Sequence, residues 1–198
     1  MNRRQLDELL FQAIETELGG EQVYLTALEC AMNVDLKEEW QKYLDETRTH
    51  QQILQEVFEA AGLNIEQMTP GREVVRHKAT ALVEAMRLAL QAGEPEAAQL
   101  VAAECIVEAE TKDHQNWELL GQMVEYAPDN LRKAFEDAYD QVADQEAEHL
   151  LHTMGWAREL WLDSLGVPAV LPPPEEQKEV TTKIGASRAE QQRDDYID

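Results

Sequence analysis

The chain has 198 residues, with 40 acidic and 17 basic side chains, and a formal net charge of −23 at pH 7. A surface this negative repels phosphate backbones and anionic lipid, so we expect neither a nucleic-acid partner nor a membrane partner. No apolar run approaches the roughly 20 residues of a membrane span, and the first residues lack the pattern of a secretory signal, so we expect a cytoplasmic protein.

Five segments show the three- and four-residue spacing of apolar side chains that predicts amphipathic helices. They cover residues 6–32, 36–61, 72–92, 95–126 and 131–165. We expect Gly62 to end the second helix as a C-terminal cap and Thr69 to begin the third as an N-terminal cap.

The lengths of the connections predict how these helices are arranged. Short turns join the first helix to the second and the fourth to the fifth, and short turns make antiparallel hairpins. The shorter third helix then serves as a crossover between the two hairpins. We therefore predict an all-α four-helix bundle over residues 1–166, in which the bundle helices run up, down, down and up.

Residues 167–198 differ in character, because they are first rich in proline and then charged, with few large apolar side chains. We expect them to form an extended C-terminal tail that is disordered or lies on a neighbouring subunit. Cys30 and Cys105 are expected near opposite ends of the bundle, too far apart for a disulfide bond, as buried free thiols.

Polar residues interrupt the apolar stripe of each of the four long helices. They are Glu17 in the first, His50 in the second, Glu110 in the fourth, and Glu146 with His149 in the last. Counted from the predicted turns, Glu17 and His50 lie about equally deep, and Glu110 and Glu146 match to within about one helical turn. Buried carboxylates are costly without partners, so their convergence with two imidazoles predicts a site for two divalent metal ions. Such ligands suit iron or manganese, with zinc as a common substitute.

This pattern resembles the ferritin-like superfamily, which includes bacterioferritins, rubrerythrins and related di-iron carboxylate oxidases, over about residues 5–165. In that superfamily two bundle helices each provide a glutamate and the other two each provide Glu-x-x-His. The resemblance implies that Glu17 and Glu110 are terminal carboxylates, one for each ion. It also implies that Glu146 is a bridging carboxylate, and that His50 and His149 each provide an imidazole to one ion.

Position 47 departs from the superfamily pattern, since Thr47 stands where a second bridging glutamate is expected. Glu46 would replace that glutamate as a metal ligand if a local bulge turned its side chain inward. Alternatively, a residue of the fourth helix would complete the site, and the candidates are Glu108, Asp113 and His114. In a third alternative only one metal ion binds well.

The resemblance implies a non-haem centre with two iron ions, or with manganese or zinc, that reacts with dioxygen or peroxide and oxidises Fe(II) or another substrate. Tyr24 lies on the same helical face as Glu17 and is expected beside the metals, like the tyrosine near such sites in the superfamily. Two alternatives remain open: a di-iron hydroxylase with an unknown substrate, and a helical interaction protein that has lost its metal. We expect a homo-oligomer, at least a dimer.

Overall fold

The computed structural model describes residues 1–197, and all of the secondary structure in that range is helical. The prediction of an all-α protein is therefore confirmed. Five long helices come first, which are α1 (Arg3–Cys30), α2 (Val34–Ala61), α3 (Pro70–Ala92), α4 (Pro95–Met123) and α5 (Asp129–Ser164). The C-terminal segment adds α6 (Pro174–Gln177), α7 (Lys183–Gln191) and a 3-10 turn at Arg193–Tyr196.

Local capping residues set several of the helix ends. The side chains of Asn2, Asn33 and Thr69 each accept a hydrogen bond from the backbone N–H group three residues later, which satisfies a donor that the first turn leaves free. Gly62 and Gly93 end α2 and α3 with φ angles of 66° and 79°, a left-handed conformation that glycine adopts without strain. The expected caps at Gly62 and Thr69 are confirmed.

The long helices enclose one core, with α3 on its outside. Helix α1 packs against α2 and α4, α5 packs against the same two helices, and α3 packs against α1 and α4. One apolar cluster includes Tyr24, Tyr43 and Trp156, and a second includes Phe58 and Phe135. On each of α1, α2, α4 and α5 the polar residues singled out in the sequence lie between the segments that form these two clusters. The core is therefore two apolar layers with a polar layer between them.

The C-terminal segment packs against α5 of its own chain, so the expectation of a disordered or intermolecularly bound tail is wrong for the described residues. Both α6 and α7 contact α5, and Val170, Val180 and Ala189 are buried. The buried carboxylate of Glu159 accepts hydrogen bonds from the Val170 N–H group at 2.8 Å and from Arg193 Nε at 2.8 Å. Ion pairs and a few apolar contacts therefore order a segment whose composition predicts disorder.

The two cysteines are buried and free, as expected, but they do not lie at opposite ends of the bundle. Cys30 and Cys105 belong to the same apolar cluster, because the end of α1 packs beside the first third of α4. No helix in residues 1–197 combines the length and the apolarity that crossing a bilayer requires.

Candidate metal centre

Five side chains from four helices meet in the polar layer of the core. Helix α1 contributes Glu17, α2 contributes His50, α4 contributes Glu110, and α5 contributes Glu146 and His149. None of the five is more than 3% exposed. The structure thus brings together five of the six residues expected to bind metal.

The five residues form two groups of three that share Glu146. Glu17, His50 and Glu146 make one group and Glu110, His149 and Glu146 the other, and within each group one ligand atom per residue lies within 4.8 Å of the others. Atom Nδ1 of His50 is 3.0 Å from a Glu146 oxygen and 3.4 Å from a Glu17 oxygen. Nδ1 of His149 is 3.6 Å from a Glu110 oxygen and 3.8 Å from a Glu146 oxygen. This geometry fits two metal ions with Glu146 between them.

In both imidazole rings, Nδ1 faces the carboxylates of its ligand group, and Nε2 contacts a residue outside the group. His50 Nε2 lies 2.9 Å from Gln145 Oε1, and His149 Nε2 lies 2.8 Å from Glu46 Oε2. A carboxylate oxygen only accepts hydrogen bonds, so the proton of a neutral His149 lies on Nε2 and the lone pair of Nδ1 faces the other ligands. Such outer hydrogen bonds fix the tautomer and the ring orientation of metal-binding histidines.

Glu17 and Glu110 each accept a hydrogen bond from an aromatic side chain of the helix that carries the other glutamate. Tyr24 of α1 donates a hydrogen bond of 2.6 Å to Glu110 of α4, and Trp117 of α4 donates one of 2.8 Å to Glu17 of α1. In both carboxylates the hydrogen bond goes to Oε1, and Oε2 is left without a hydrogen-bond partner. The expected position of Tyr24 beside the site is thus observed. The spacing of Trp117 from Glu110 equals that of Tyr24 from Glu17, which is the signal in the sequence that pairs the two aromatic residues.

Unsatisfied buried atoms provide a test of whether a metal fits these residues. Five potential ligand atoms lack a hydrogen-bond partner within residues 1–197, and they are Glu17 Oε2, Glu110 Oε2, Glu146 Oε2, His50 Nδ1 and His149 Nδ1. Buried polar atoms normally have partners, so five unsatisfied atoms on the residues of the two ligand groups need a common explanation. Divalent cations provide one, and the residues therefore fit a pair of metal ions.

Burial and mutual charge shift the pKa values of these groups in the metal-free protein. Burial raises the pKa of Glu146 to about 7, opposed by the nearby His50 imidazole and reinforced by the charges of Glu17 and Glu110. Burial by itself would lower the pKa of both histidines, but the surrounding carboxylates dominate. They raise the pKa of His50 to about 11 and that of His149 to about 9. Without metal, the histidines carry the positive charge that the carboxylates need.

Glu46 does not take the place of the missing glutamate, which corrects the expectation that it binds metal through a bulge. Helix α2 is regular there, and the Glu46 carboxylate lies on the outer side of His149, where it contacts Nε2. Thr47 is buried, and its Cγ2 atom lies 3.7 Å from the point that a Cβ atom of Gly20 would occupy. Glu46 therefore orients the ring of His149, and Thr47 contributes no carboxylate.

The three other candidates of α4 do not belong to the two ligand groups. Glu108 is exposed, and His114 is partly buried with Nε2 3.3 Å from a Glu118 oxygen. Asp113 is buried, and burial, together with the charges of Glu17 and its neighbouring carboxylates, raises its pKa well above the ordinary value. Each ion would therefore have three protein ligands, which leaves coordination positions for water, dioxygen or substrate.

Comparison of the chain with family models, with curated proteins and with solved structures finds no match.

Proposed function

We propose that the protein is a ferritin-like di-metal protein that binds two iron ions and oxidises Fe(II) with dioxygen or peroxide. The observation that carries this proposal is the pair of three-residue ligand groups joined through Glu146, in which both histidines turn Nδ1 toward the carboxylates. Two carboxylates and one imidazole per ion suit iron or manganese, and zinc would bind as a substitute. The helices α1, α2, α4 and α5 take the roles of the four helices of a ferritin-like bundle.

The residues around the centre have distinct tasks in this function. Glu17 and His50 would hold one ion, Glu110 and His149 would hold the other, and Glu146 would be shared by both. The bound iron ions would supply electrons to dioxygen. The apolar layers above and below the centre exclude bulk water, which strengthens the electrostatic attraction between the carboxylates and the ions.

An anaerobic titration of metal-free protein with Fe(II) tests the proposal. We expect two ions per chain, and a ferric absorption band in the near ultraviolet after air is admitted. Turnover of Fe(II) in excess over the centre would identify Fe(II) as the substrate. A single oxidation of the bound ions without further turnover would instead favour a hydroxylase with another substrate.

The variant Glu146→Gln is the matched test of the bridging role, because it keeps the size of the side chain and removes its charge. We expect it to bind one ion or none. Glu136→Gln is the control, since Glu136 is exposed on the same helix, and it should bind as many ions as the unchanged protein. One ion in the unchanged protein would overturn the di-metal centre, and none would overturn metal binding. Two ions in Glu146→Gln would overturn the bridge.

A further inference from the structure

An apolar groove opens on the side of the bundle where α1, α3 and α4 meet. Its volume is about 480 Å³, which lies within the roughly 300–1,000 Å³ of small-molecule sites. Apolar side chains form most of its walls, including Val23, Val75, Leu82 and Val107. Polar side chains are a minority of its lining, as in sites that bind an apolar molecule and fix one polar end of it.

The groove lies against the metal centre. Thr16 and Gly20, which line it, are the helical neighbours of Glu17, and Thr111, which also lines it, directly follows Glu110. Gly20 lines the groove on α1, and a Cβ atom built on it would lie 3.7 Å from Cγ2 of Thr47 in α2. The groove therefore runs along the same stretches of α1 and α4 that carry Glu17 and Glu110.

Two lysines give the rim of the groove a charge opposite to that of the whole chain. Lys78 of α3 and Lys112 of α4 line the groove together with one exposed carboxylate, Glu108. Lys112 donates a hydrogen bond to the amide oxygen of Asn116 and forms no ion pair within residues 1–197. The lysines that form ion pairs within residues 1–197 are others, namely Lys42, Lys133 and Lys183.

A molecule that complements this groove has a hydrocarbon chain and an anionic end. The chain would replace water on the apolar walls at a gain of about 0.8 kcal/mol per buried methylene. The carboxylate would bind between the two ammonium groups, where a charge-assisted hydrogen bond is about twice as strong as a neutral one. A neutral alcohol would leave both ammonium groups unpaired, and a cation would be repelled by them.

We propose that this groove is a binding site for an alkyl carboxylate of the fatty-acid class, held by Lys78 and Lys112 at its charged end. Its use as the substrate site of the neighbouring centre rests on the function proposed above, whereas binding itself does not require the metal.

Calorimetric titration of the metal-free, full-length protein with decanoate tests the site independently of iron. We expect saturable binding of one decanoate per chain, and an affinity that falls about fourfold for each methylene removed in the series to hexanoate. Decanol should bind more weakly than decanoate by about tenfold, because it has no charge for the lysines. Absence of saturable binding, or equal affinity for decanol, would overturn the proposal.

Two tryptophan variants on α3 locate the site. Ala81 is an exposed residue of the groove, so Ala81→Trp fills the groove and should weaken decanoate binding by about tenfold or more. Leu88 is exposed on the same helix away from the groove, and Leu88→Trp should leave the affinity unchanged. Equal affinities of the two variants would place the ligand elsewhere and overturn the proposal.

A spectroscopic measurement distinguishes binding in the groove from a role as the substrate of the metal centre. Decanoate added to the anaerobic Fe(II)-loaded protein should shift the near-infrared circular dichroism bands of the iron. Binding to the metal-free protein without any such shift would overturn the substrate role and leave the groove as a binding site. Failure of the protein to bind Fe(II) would overturn the function proposed above, and the result with metal-free protein would still decide the groove.

Discussion

At the scale of single residues, the main feature of the centre is that hydrogen bonds from aromatic side chains orient two of its carboxylates. Glu110 and Glu17 each accept one hydrogen bond, from Tyr24 and from Trp117, and each keeps a second oxygen without a hydrogen-bond partner within residues 1–197. A carboxylate that is fixed in this way loses less conformational entropy when it binds an ion. The aromatic donors would therefore contribute to the metal affinity of the proposed centre through the carboxylates that they orient.

Removal of the Tyr24 hydroxyl tests this contribution. Tyr24→Phe keeps the ring and leaves Glu110 free to rotate, so we expect the affinity of one ion to fall by about 10- to 100-fold. Competition with a chelator measures the two dissociation constants. Tyr126→Phe, which removes a hydroxyl from an exposed ring, serves as the control and should bind both ions normally. Equal affinities of the two variants would show that the hydrogen bond plays no part in metal binding.

The pKa values of the two histidines predict how metal binding depends on pH. The carboxylates raise the pKa of His50 to about 11 and of His149 to about 9, against an ordinary value of 6.5. Protonated histidines therefore stabilise the metal-free fold fully below about pH 6.5, and this stability is lost as the pH rises through 9 to 11. Metal needs the neutral rings, so its affinity changes in the opposite direction and rises with pH over that window.

Calorimetry in buffers of different ionisation enthalpy checks this prediction through the protons that metal binding releases. At pH 8 we expect one to two protons per chain to be released, since both histidines are protonated in the metal-free protein. Zn²⁺ or Mn²⁺ serves as well as Fe(II), because deprotonation of the ligands is common to all of them. A heat of binding that is independent of the buffer would contradict the assigned ligands.

At the scale of helices, two adjacent glycines in α1 differ in the space around them. A Cβ atom at Gly19 would lie 2.5 Å from Cβ of Ala79 in α3, a separation that real atoms do not tolerate. A Cβ atom at Gly20 would meet nothing closer than 3.7 Å. The first glycine therefore permits the close packing of α1 on α3, whereas the second position has room for a methyl group.

Alanine substitutions at these two positions should have opposite effects on stability. Gly20→Ala should raise the free energy of unfolding by up to about 1 kcal/mol, the difference in helix propensity. Gly19→Ala gains the same propensity but forces α1 and α3 apart, at a cost of about 1–3 kcal/mol, and should be destabilising on balance. Urea unfolding followed by circular dichroism measures both. Stabilisation by Gly19→Ala would show that α1 and α3 move apart at little cost in free energy.

The helices and the candidate ligands were predictable because their signals are local. Caps such as Gly62 and Thr69 act within one turn, and apolar periodicity together with helix length places Glu17, His50, Glu110 and Glu146 at one level. The true partner of Glu46 was not predictable in this way, because His149 lies 103 residues further along the chain. A residue spacing within one helix says nothing about which neighbouring helix supplies the contact.

At the scale of the whole molecule, the C-terminal segment shows how this chain orders residues that lack a core of their own. Arg158 of α5 lies between two buried carboxylates, with Nε 2.9 Å from Glu159 and its two terminal nitrogens each 2.9 Å from an oxygen of Glu175. Gly155 makes room for Glu175, since a Cβ atom there would lie 2.6 Å from the Glu175 carboxylate. These contacts join distant parts of the sequence, and composition alone therefore suggested a disordered tail.

Replacement of Arg158 is the sharpest test of this arrangement. Arg158→Ala leaves Glu175, 2% exposed, without the two hydrogen bonds that this arginine donates, while Glu159 keeps its contact with Arg193. Removal of one partner of a buried ion pair lowers the free energy of unfolding by about 3–5 kcal/mol. We expect the lower end of this range, because the Glu159 carboxylate remains paired. The free energy of unfolding in urea measures the loss.

Arg188→Ala is the control for this variant, because Arg188 is an exposed residue of α7. Its effect should remain within about 0.5 kcal/mol, as for ordinary surface substitutions. Protease sensitivity after Val167 should rise in Arg158→Ala alone, since the loss of the ion pairs frees the segment from α5 before the bundle unfolds. Equal stability and equal protease resistance of the two variants would show that apolar contacts hold the segment without these ion pairs.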